Sequence, residues 1–407
     1  MFEFSRRVLS AMLTAVLLVS GSMAAQADSD GRGSGRRPVA VATYNQYLGA
    51  DLAPLLTASS AQTFNAALLR VLEQVAANRF RARAHRQAAL IAASRPDLVG
   101  LQEVWEYRCQ DLPPAAGACA SPSIRGAFTD QLALTFAALK KQGAQYKVAA
   151  QVQNFATAEI AVPIPGGELH GLPFTIGGKN GLLLAKDRDV ILARTGVATE
   201  PVTFNGCRIS ANGCTFQNVL QLSIAALPGV QFEFKRGYVG VDAIVRGKRY
   251  RFVNTHLEIK EPQPGNPLSM FFQSAQAAEL IAAIHALPED GRKLILVGDT
   301  NSAPTNTSPA PGIVPPYQQF AAAGYLDAWT SSRGTAAGFT CCQAADLRNK
   351  HSELFERIDQ ILVGTPPLFV RKIKRLGENP ADRTIALPHR PALWPSDHAG
   401  LAAVLQF

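Results

Sequence analysis

The chain has 407 residues, of which 47% are hydrophobic and 17% are charged. This composition is typical of a globular protein with enough apolar material for a large core, so it excludes a fibrous or a wholly disordered chain. The formal net charge of +9 favours polyanionic partners, such as nucleic acid or anionic lipid head groups.

The first residues have the features of an export signal. Arg6 and Arg7 precede an uncharged run at residues 8–20, and an Ala-x-Ala cleavage site follows at residues 25–27. A positive start, a short apolar run and a small-residue cut together predict a signal peptide over residues 1–27. The two arginines leave a twin-arginine export route open beside the ordinary one.

The segment after this signal leads into one predicted domain. Residues 28–38 are rich in Gly, Ser and Arg, which predicts a flexible linker. No later stretch reaches the ~18 uninterrupted apolar residues that a transmembrane helix needs. We therefore expect a secreted or periplasmic monomer, without a transmembrane segment after signal removal and with a single domain over residues 39–407.

Predicted strands alternate with a few long helices along the rest of the chain. Apolar runs predict strands at residues 39–44, 98–102, 146–152, 181–185, 190–193, 239–245, 250–254, 294–297, 360–363 and 400–407. Helical periodicity predicts helices at residues 61–94, 128–141 and 271–287. Residues 108–125 and 154–179 are interpreted as long irregular insertions. The pattern favours packed sheets with helices outside over a strict βαβ array.

The first predicted helix carries a cluster of three arginines, Arg79, Arg81 and Arg83. Because charged side chains are mostly exposed, this cluster is interpreted as a solvated face of the helix.

The chain has six cysteines, and export into an oxidising compartment makes disulfides the expected state. Cys109 with Cys119, and Cys207 with Cys214, would each close a short loop. The adjacent Cys341 and Cys342 leave two alternatives open, a strained vicinal bridge or two free thiols. A zinc site is disfavoured, because no second Cys or His pair stands at metal-ligand spacing.

Polar or acidic residues repeatedly stand where an apolar strand is predicted to end. They are Asn45, Glu103, Asn254 to His256, Asp299 with Asn301, Arg357 to Asp359, and Ser396 to His398. One such residue is ordinary, because strand ends are polar and Asp and Asn favour turns. Repetition along the chain favours a shared site, because strand ends converge on one rim of a sheet.

In order along the chain, these positions resemble the signature blocks of the endonuclease/exonuclease/phosphatase superfamily, which has the DNase I-like fold. The blocks are Thr43-Tyr44-Asn45, Leu101-Gln102-Glu103-Val104, Asn254-Thr255-His256-Leu257, Gly298-Asp299-Thr300-Asn301, Arg357-Ile358-Asp359 and Ser396-Asp397-His398. The resemblance implies an α+β fold, a four-layer α/β/β/α sandwich over nearly the whole chain after the signal. It also implies hydrolysis of phosphodiesters or phosphomonoesters with Mg²⁺ or another divalent cation, such as Mn²⁺ or Ca²⁺.

Three oxygen-bearing residues are the candidate metal ligands. A hard divalent cation prefers oxygen ligands and keeps several waters, so one or two carboxylates suffice. Glu103 is the first candidate, with Asn45 beside it through its amide oxygen or a bound water. Asp397 is the second carboxylate that the resemblance implies.

The remaining block residues are candidates for the reaction itself. Asp299 resembles the base that deprotonates or orients the attacking water, and Asn301 a donor to the phosphate oxygens. His256 and His398 would supply donors to the transition state. Asp359 would hold His398 in one tautomer, although a salt bridge to Arg357 is an alternative role for it.

The chain departs from secreted nucleases of this superfamily at one point. They carry a Tyr-x-Glu motif, whose Glu supports one catalytic histidine, and here residues 177–181 contain no such Glu. The support of His256 is therefore left open. Arg236, next to a predicted strand, is a candidate phosphate-binding residue, with an ordinary surface charge as the alternative.

The residues together predict a metal-dependent phosphodiesterase, and the basic charge favours a nuclease that acts on DNA or RNA. A sphingomyelinase or phospholipase C type enzyme is the alternative, with Phe271 and Phe272 as a membrane-contact patch or as the buried start of a helix. A phosphomonoesterase acting on inositol phosphates has no dedicated signature here. A non-catalytic binding protein with the same fold is disfavoured, because the set of polar residues is intact.

Overall fold

The computed structural model describes residues 38–207, 213–260, 268–365 and 368–407. The predicted signal peptide, residues 1–27, and all of the predicted linker except Pro38 lie outside the described residues. The described residues belong to one compact unit that begins at Arg37. In these ranges no helix is both long and apolar enough to cross a bilayer.

Strands outnumber helices in the described ranges. The strands are β1 Val39–Asn45, β2 Leu98–Gln102, β3 Glu106–Leu112, β4 Tyr146–Ala156, β5 Ala161–Ile164, β6 Gly167–His170, β7 Leu172–Ile176, β8 Lys179–Arg194, β9 Ala198–Pro201, β10 Gly213–Thr215, β11 Leu220–Ser223, β12 Gln231–Phe234, β13 Gly237–Val245, β14 Lys248–His256, β15 Lys293–Asp299, β16 Leu326–Asp327, β17 Asp359–Val363, β18 Phe369–Leu376 and β19 Gly400–Gln406. The α-helices are α1 Ala53–Leu56, α2 Ala61–Ala77, α3 Phe80–Ser94, α4 Gln131–Lys141, α5 Leu268–His285, α6 Pro316–Ala322 and α7 Ala328–Arg333. Short 3₁₀ turns lie at Thr157–Glu159 and Pro380–Asp382.

Two large sheets organise the molecule. The first sheet has the order β18-β19-β1-β2-β8-β3, and β4 and β7 also pair with β8. The second sheet has the order β10-β13-β14-β15-β17-β16, with β9 paired to β13. Each sheet contains one parallel pair near its centre, β1 with β2 and β14 with β15. The carboxyl ends of these parallel strands therefore reach the same edge of their sheet.

The sheets pack face to face, and helices cover their outer faces. Val41 of β1 and Val297 of β15 belong to one buried apolar cluster between the sheets. On the outer face of the first sheet, Ile91 of α3 packs in a cluster with Val99 of β2. On the outer face of the second sheet, α5 packs in a cluster with Leu296 of β15. The predicted α/β/β/α sandwich is confirmed.

The predicted helix over residues 61–94 is two helices, α2 and α3. The break lies at Asn78 and Arg79, and Arg79 has a left-handed backbone, with φ of +42°. The Asn78 side-chain amide donates to the carbonyl oxygens of Gly49 and Ala345. The break therefore depends on contacts with distant segments. Because the apolar periodicity of the sequence continues across it, the sequence pattern does not reveal the break.

The two predicted strands at residues 181–185 and 190–193 are one long strand, β8. The residues between them include Asp187 and Asp189, which are buried in the sheet although they read as a polar interruption. The interval interpreted as irregular, residues 154–179, also contains the short strands β5, β6 and β7.

All six cysteines are paired. Cys109 pairs with Cys119 and Cys207 with Cys214, as the sequence predicts. Of the two alternatives left open for Cys341 and Cys342, the structure has the vicinal pair.

Candidate active site

The predicted site residues meet where strand ends from both sheets come together. In the first sheet, Asn45 is the last residue of β1 and lies in register with the last residue of β2, so Glu103 follows directly beside it. In the second sheet, the last residue of β14, His256, lies opposite Asp299 at the end of β15. The antiparallel neighbour β17 starts with Asp359 opposite Asp299. Polar side chains from both sheets therefore lie at one site.

Asn45 connects the carboxylates of the two sheets. Its side-chain nitrogen donates to Glu103 Oε1 at 3.1 Å and to Asp299 Oδ2 at 3.0 Å. Its side-chain oxygen accepts the backbone N–H of Tyr47 at 2.9 Å, and the backbone N–H of Leu48 donates to Glu103 Oε2 at 2.6 Å. The loop after β1 thus fixes both side chains.

His398 is held by carboxylates on both sides of its ring. Its Nδ1 lies 2.9 Å from Asp359 Oδ2, and its Nε2 lies 3.7 Å from Asp299 Oδ2. Burial alone would lower the pKa of His398, but Asp359, Asp299 and the adjacent Asp397 raise this pKa well above its ordinary value. The raised pKa favours the imidazolium form, in which Nδ1 donates to Asp359 and Nε2 carries a second proton on the side of Asp299.

The predicted partnership between Asp359 and His398 thus has the required geometry. The alternative role for Asp359 was a salt bridge to Arg357. The Arg357 guanidinium instead lies 2.8 Å from Asp327 Oδ2 and donates to the side chain of Gln360 at 2.7 Å.

His256 has the opposite environment, because its partner is a cation. Arg236 Nη1 lies 3.2 Å from His256 Nδ1, and Arg236 Nη2 lies 3.6 Å from Glu258 Oε1. A guanidinium only donates, so Nδ1 accepts and the ring proton sits on Nε2, which faces Asp299 Oδ2 at 3.6 Å. Burial, then Arg236 and His398, lower the pKa of His256 well below its ordinary value. His256 is therefore neutral.

The residue beside His256, which the sequence analysis left open, is therefore Arg236. Arg236 is held in place by buried acids, and burial alone would lower its pKa. Glu258 and Asp187 outweigh that effect and raise the pKa of Arg236 above its ordinary value. The expected phosphate-binding arginine lies against His256.

Asn301 lies beside both His256 and Asp299. It has a left-handed backbone, with φ of +49°, which lets its N–H donate to Asp299 Oδ1 at 2.9 Å. Its side-chain nitrogen donates to the Leu257 carbonyl at 3.0 Å and lies 3.3 Å from His256 Nε2. The turn after β15 therefore orients Asp299 and Asn301 as a unit.

Asp299 is the most central of the site carboxylates. It is buried, and burial raises its pKa to about 7, with Asp359 adding to the rise and His398 opposing it. A carboxylate with a pKa near neutrality is suited to accept a proton at physiological pH.

The donor set around Glu103 fits a hard divalent cation. Glu103 and Asp397 offer carboxylates, and Asn45 offers an amide oxygen with one lone pair beyond the Tyr47 bond. Burial raises the pKa of Asp397 to about 7, and the nearby Glu103 contributes to the rise. Two acids that repel each other in a buried place are stabilised by a cation between them.

A second group of possible ligand atoms overlaps the proton-transfer residues. One atom each of Asp299, Asp359 and His398 lie within 4.8 Å of one another. The hydrogen bond between Asp359 and His398 Nδ1 already uses two of these atoms, so we assign this group to proton chemistry. One atom each of His398, Cys341 and Cys342 also lie within 4.8 Å of one another, but paired cysteines offer no thiolate to a metal.

Asn254 has a role that the sequence analysis did not assign. Its side chain, on β14, donates to the carbonyls of Leu101 at 3.0 Å and Val190 at 3.3 Å, and it accepts from Gln102 Nε2 at 2.5 Å. These three partners belong to the first sheet, so Asn254 ties the two sheets together directly beneath the site. An Asn two residues from the end of a buried strand was the available signal.

The interpretation of the three-arginine cluster as a solvated face of the helix is wrong for Arg83. It is 1% exposed, and its guanidinium donates to four backbone carbonyls. The acceptors are Gln46 at 2.8 Å, Asn78 at 3.0 Å, Pro395 at 3.1 Å and Tyr47 at 3.2 Å. Arg83 therefore fixes the loop after Asn45 and the segment that leads to Asp397. Its position one helical turn after the buried Phe80 could have indicated this.

Comparisons with known proteins identify the family of the chain. A family model described as "Endonuclease/Exonuclease/phosphatase family" matches residues 63–398, which include every predicted site residue except Asn45. No curated protein sequence gives a significant match.

The fold is similar to that of several solved structures. An endonuclease/exonuclease/phosphatase from Beutenbergia cavernae is 19% identical, with 91% of this chain and 72% of that chain covered and a TM-score of 0.47. A mannosyl-6-phosphatase from Bacteroides thetaiotaomicron is 15% identical, with 91% and 100% covered and a TM-score of 0.46. D. rerio TDP2, complexed with single strand DNA product, is 16% identical, with 90% and 98% covered and a TM-score of 0.43.

Proposed function

Because the chain belongs to the endonuclease/exonuclease/phosphatase family, we propose that it is an exported, divalent-metal-dependent phosphodiester hydrolase. The observation that carries this proposal is the convergence of four carboxylates, two histidines in opposite environments and two asparagines at one junction of the sheets. Glu103 and Asp299 both contact the amide of Asn45, so the metal side and the proton side of the site share one residue.

A divalent cation would be held by Glu103 and Asp397, with Asn45 completing the oxygen ligands. Such a cation supplies charge neutralisation at the phosphate and favours attack on an anionic ester. Mg²⁺ suits an all-oxygen set, and Mn²⁺ or Ca²⁺ are the other candidates.

The residues of the second sheet would handle the water and the phosphate. Asp299 accepts the proton of the attacking water, whose oxygen bonds to phosphorus as the ester oxygen leaves. Asn301 and the Nε2–H of neutral His256 face the place where charge develops on the phosphate oxygens. The His398 imidazolium, kept charged by Asp359, stabilises the same charge.

Nucleic acid is one candidate substrate, and a basic groove supports it. The groove has a volume of about 950 Å³ and lies between the start of α3 and the segment before β19. Its charged or titratable lining is entirely basic: Arg79, Arg81, His85, Arg86, Arg125, Arg348, His389 and Arg390. Burial, then Arg390 and Arg348, lower the pKa of Arg79, which reflects positive charge without a local anion. Such a groove is complementary to a chain of phosphates.

A lipid phosphodiester is the second candidate, and a different cavity supports it. An apolar pocket opens beside Glu103 and Arg236. In contrast, the membrane patch considered from sequence consists of one half-exposed ring, because Phe271 is 51% exposed within α5 and Phe272 is partly buried.

Hydrolysis of bis(p-nitrophenyl) phosphate by the purified chain tests the proposed reaction. We expect release of nitrophenol with Mg²⁺, Mn²⁺ or Ca²⁺ and none with a chelator. His398→Ala should lower kcat by ~10²- to 10⁴-fold, because the charged donor is lost. The matched control His351→Ala, at an exposed histidine, should keep wild-type activity. Activity that survives both chelation and His398→Ala would refute the proposal.

A panel of plasmid DNA, RNA and sphingomyelin, assayed with the same metal ions, then compares the two candidate substrates. Degradation of the polynucleotides alone supports the nuclease, and release of phosphocholine supports the lipid phosphodiesterase.

A further inference from the structure

An enclosed apolar pocket adjoins the proposed metal site. It has a volume of about 110 Å³ and lies between α1, α2, the strands β3, β7 and β8, and the segment from residue 224 to residue 236. Glu103, Asp187 and Arg236 stand among its lining residues, so the pocket and the candidate active site share one boundary. None of the sequence motifs assigned a role to this cavity.

The walls of the pocket are almost entirely hydrocarbon. The aliphatic side is formed by Leu48, Leu52, Leu55, Leu56, Leu68, Val71, Leu172, Leu183, Ala185 and Ile224. The aromatic side is a row of rings, in which Trp105 stacks on Tyr107 at 5.5 Å and Phe155 stacks on Phe234 at 5.9 Å. Trp105 and Phe155 connect the two stacks at 6.0 Å.

The polar groups of the pocket are few and mostly engaged. The Thr157 hydroxyl donates to the Leu183 carbonyl at 3.0 Å and accepts from the Ala185 N–H at 2.9 Å. Lys235 is paired with Glu159. Trp105 Nε1 is a buried donor without a hydrogen-bond partner in the described chain. Two other buried polar atoms of the lining have no partner in the described chain, Arg236 Nε and Asp187 Oδ1 at the polar boundary. Away from that boundary the interior offers few polar groups to a ligand.

These features discriminate between the groups that a phosphoester can carry. A nucleobase brings several polar atoms, and each one buried without a partner costs about 1–3 kcal/mol. An alkyl or aryl group brings none and gains about 0.8 kcal/mol for each methylene removed from water. Base stacking on the aromatic side does not satisfy the polar edge of a base. The pocket is thus complementary to hydrocarbon.

We infer that this pocket binds a hydrocarbon group attached to the substrate phosphate, so that the substrate is an amphiphilic phosphodiester. The inference rests on the proposed hydrolase function, because the phosphate would lie at the boundary that the pocket shares with Glu103 and Arg236. A cavity of ~150 Å³ lined by Leu, Ile and Phe holds benzene. The present pocket therefore accepts about four to six carbon atoms, from an alkyl chain or from an aryl ring.

A series of p-nitrophenyl phosphodiesters tests the inference. The second ester group is methyl, ethyl, butyl or hexyl, with phenyl as the aryl arm and thymidine as the nucleoside arm. We expect kcat/KM to rise about three- to fourfold per methylene as far as butyl and then to level off. The better of the butyl and phenyl esters identifies the source of the hydrocarbon, and the thymidine ester should be poorer than both.

Filling the pocket should remove this preference without removing the reaction. Leu56→Trp, at a half-buried position in α1 that lines the pocket, is expected to abolish the dependence of kcat/KM on chain length while hydrolysis of the methyl ester remains detectable. Leu134→Trp, at a half-buried leucine of α4 that does not line the pocket, is the matched control and should keep the wild-type profile.

Binding can be followed without catalysis. Butylphosphonate, titrated in the absence of metal, should shift the tryptophan emission through Trp105, and Trp105→Phe should abolish the shift. Methylphosphonate is the control ligand and should leave the emission unchanged at the same concentrations.

The outcomes distinguish a failure of the pocket inference from a failure of the proposed hydrolase function. If the methyl ester is hydrolysed but kcat/KM is flat along the series, or the thymidine ester is preferred, the pocket inference is wrong and the hydrolase function stands. If no diester is hydrolysed with any of the metals, the proposed function fails, and the butylphosphonate titration alone decides whether the pocket binds hydrocarbon.

Discussion

The two histidines of the site are chemically identical residues with opposite proton states. His398 lies between Asp359 and Asp299, which raise its pKa, whereas His256 accepts from Arg236, which lowers its pKa together with burial. The pair therefore presents one cation and one neutral donor to the same space. Both groups can stabilise a negatively charged phosphate. Because one of the two histidines is neutral, they add only one positive charge to the site before the substrate binds.

Replacing Asp359 tests the origin of the charged histidine. Asp359→Asn keeps the size of the side chain but removes the carboxylate that accepts from His398 Nδ1. We expect kcat/KM to fall by ~10²- to 10⁴-fold with the fold retained, as measured by steady-state kinetics and circular dichroism. Asp111→Asn, at an exposed aspartate, should change neither measurement. A fall of less than threefold would contradict the assigned partnership.

Arg83 supports the site without touching its reacting atoms. Arg83→Met removes the donors of four buried carbonyls, so we expect the free energy of unfolding to fall by at least about 3 kcal/mol. Arg81→Met, at an exposed arginine two residues away, should stay within about 0.5 kcal/mol of wild type. Urea unfolding of both variants measures the difference, and equal losses would contradict the role of Arg83.

At the level of strands, the sequence predicts the site well because polar residues stand at strand ends. Asn45, Glu103 and Asp299 follow short apolar runs, and parallel pairing brings such ends together. The partner of His256 was not predictable, because no local pattern shows that Arg236 on a neighbouring strand end replaces a carboxylate. The apolar pocket was missed for the same reason, because its walls come from segments that are distant in sequence. The burial of Arg83 had a local signal in its helical spacing from Phe80, but its four carbonyl acceptors did not.

The end of β15 depends on a glycine. Gly298 has φ of +153°, and a Cβ there would lie 2.0 Å from the Thr255 carbonyl oxygen on β14. Gly298→Ala should therefore lower the free energy of unfolding by more than about 3 kcal/mol, because backbone must move where Asp299 begins. Gly291→Ala is the matched control, with φ of +79° and no neighbour within 4 Å, and should cost about 1 kcal/mol. Urea unfolding that shows equal costs would contradict the steric argument.

The basic groove and the apolar pocket are separate features of the molecule. The basic groove shares no lining residue with the apolar pocket, so the two candidate substrates make distinct demands on the same enzyme. A polynucleotide would contact the groove through its phosphates, whereas an amphiphile would fill the pocket through its hydrocarbon.

Salt dependence of oligonucleotide binding tests the groove. Replacing Arg81, Arg125 and Arg390 by Gln should weaken binding and reduce the slope of log K against log salt by up to about 0.9 per arginine that contacts a phosphate. The control replaces the exposed Lys140, Lys141 and Lys147 by Gln, which gives the same change in net charge. Fluorescence anisotropy measures both, and indistinguishable slopes would show that the groove does not contact nucleic acid.

The pairing of β1 with β19 joins the beginning and the end of the folded unit. Asn45 ends β1 and His398 lies two residues before β19, so the proposed site contains residues next to both strands. We expect a fragment without β19 to lose this strand pairing, and with it the proposed activity.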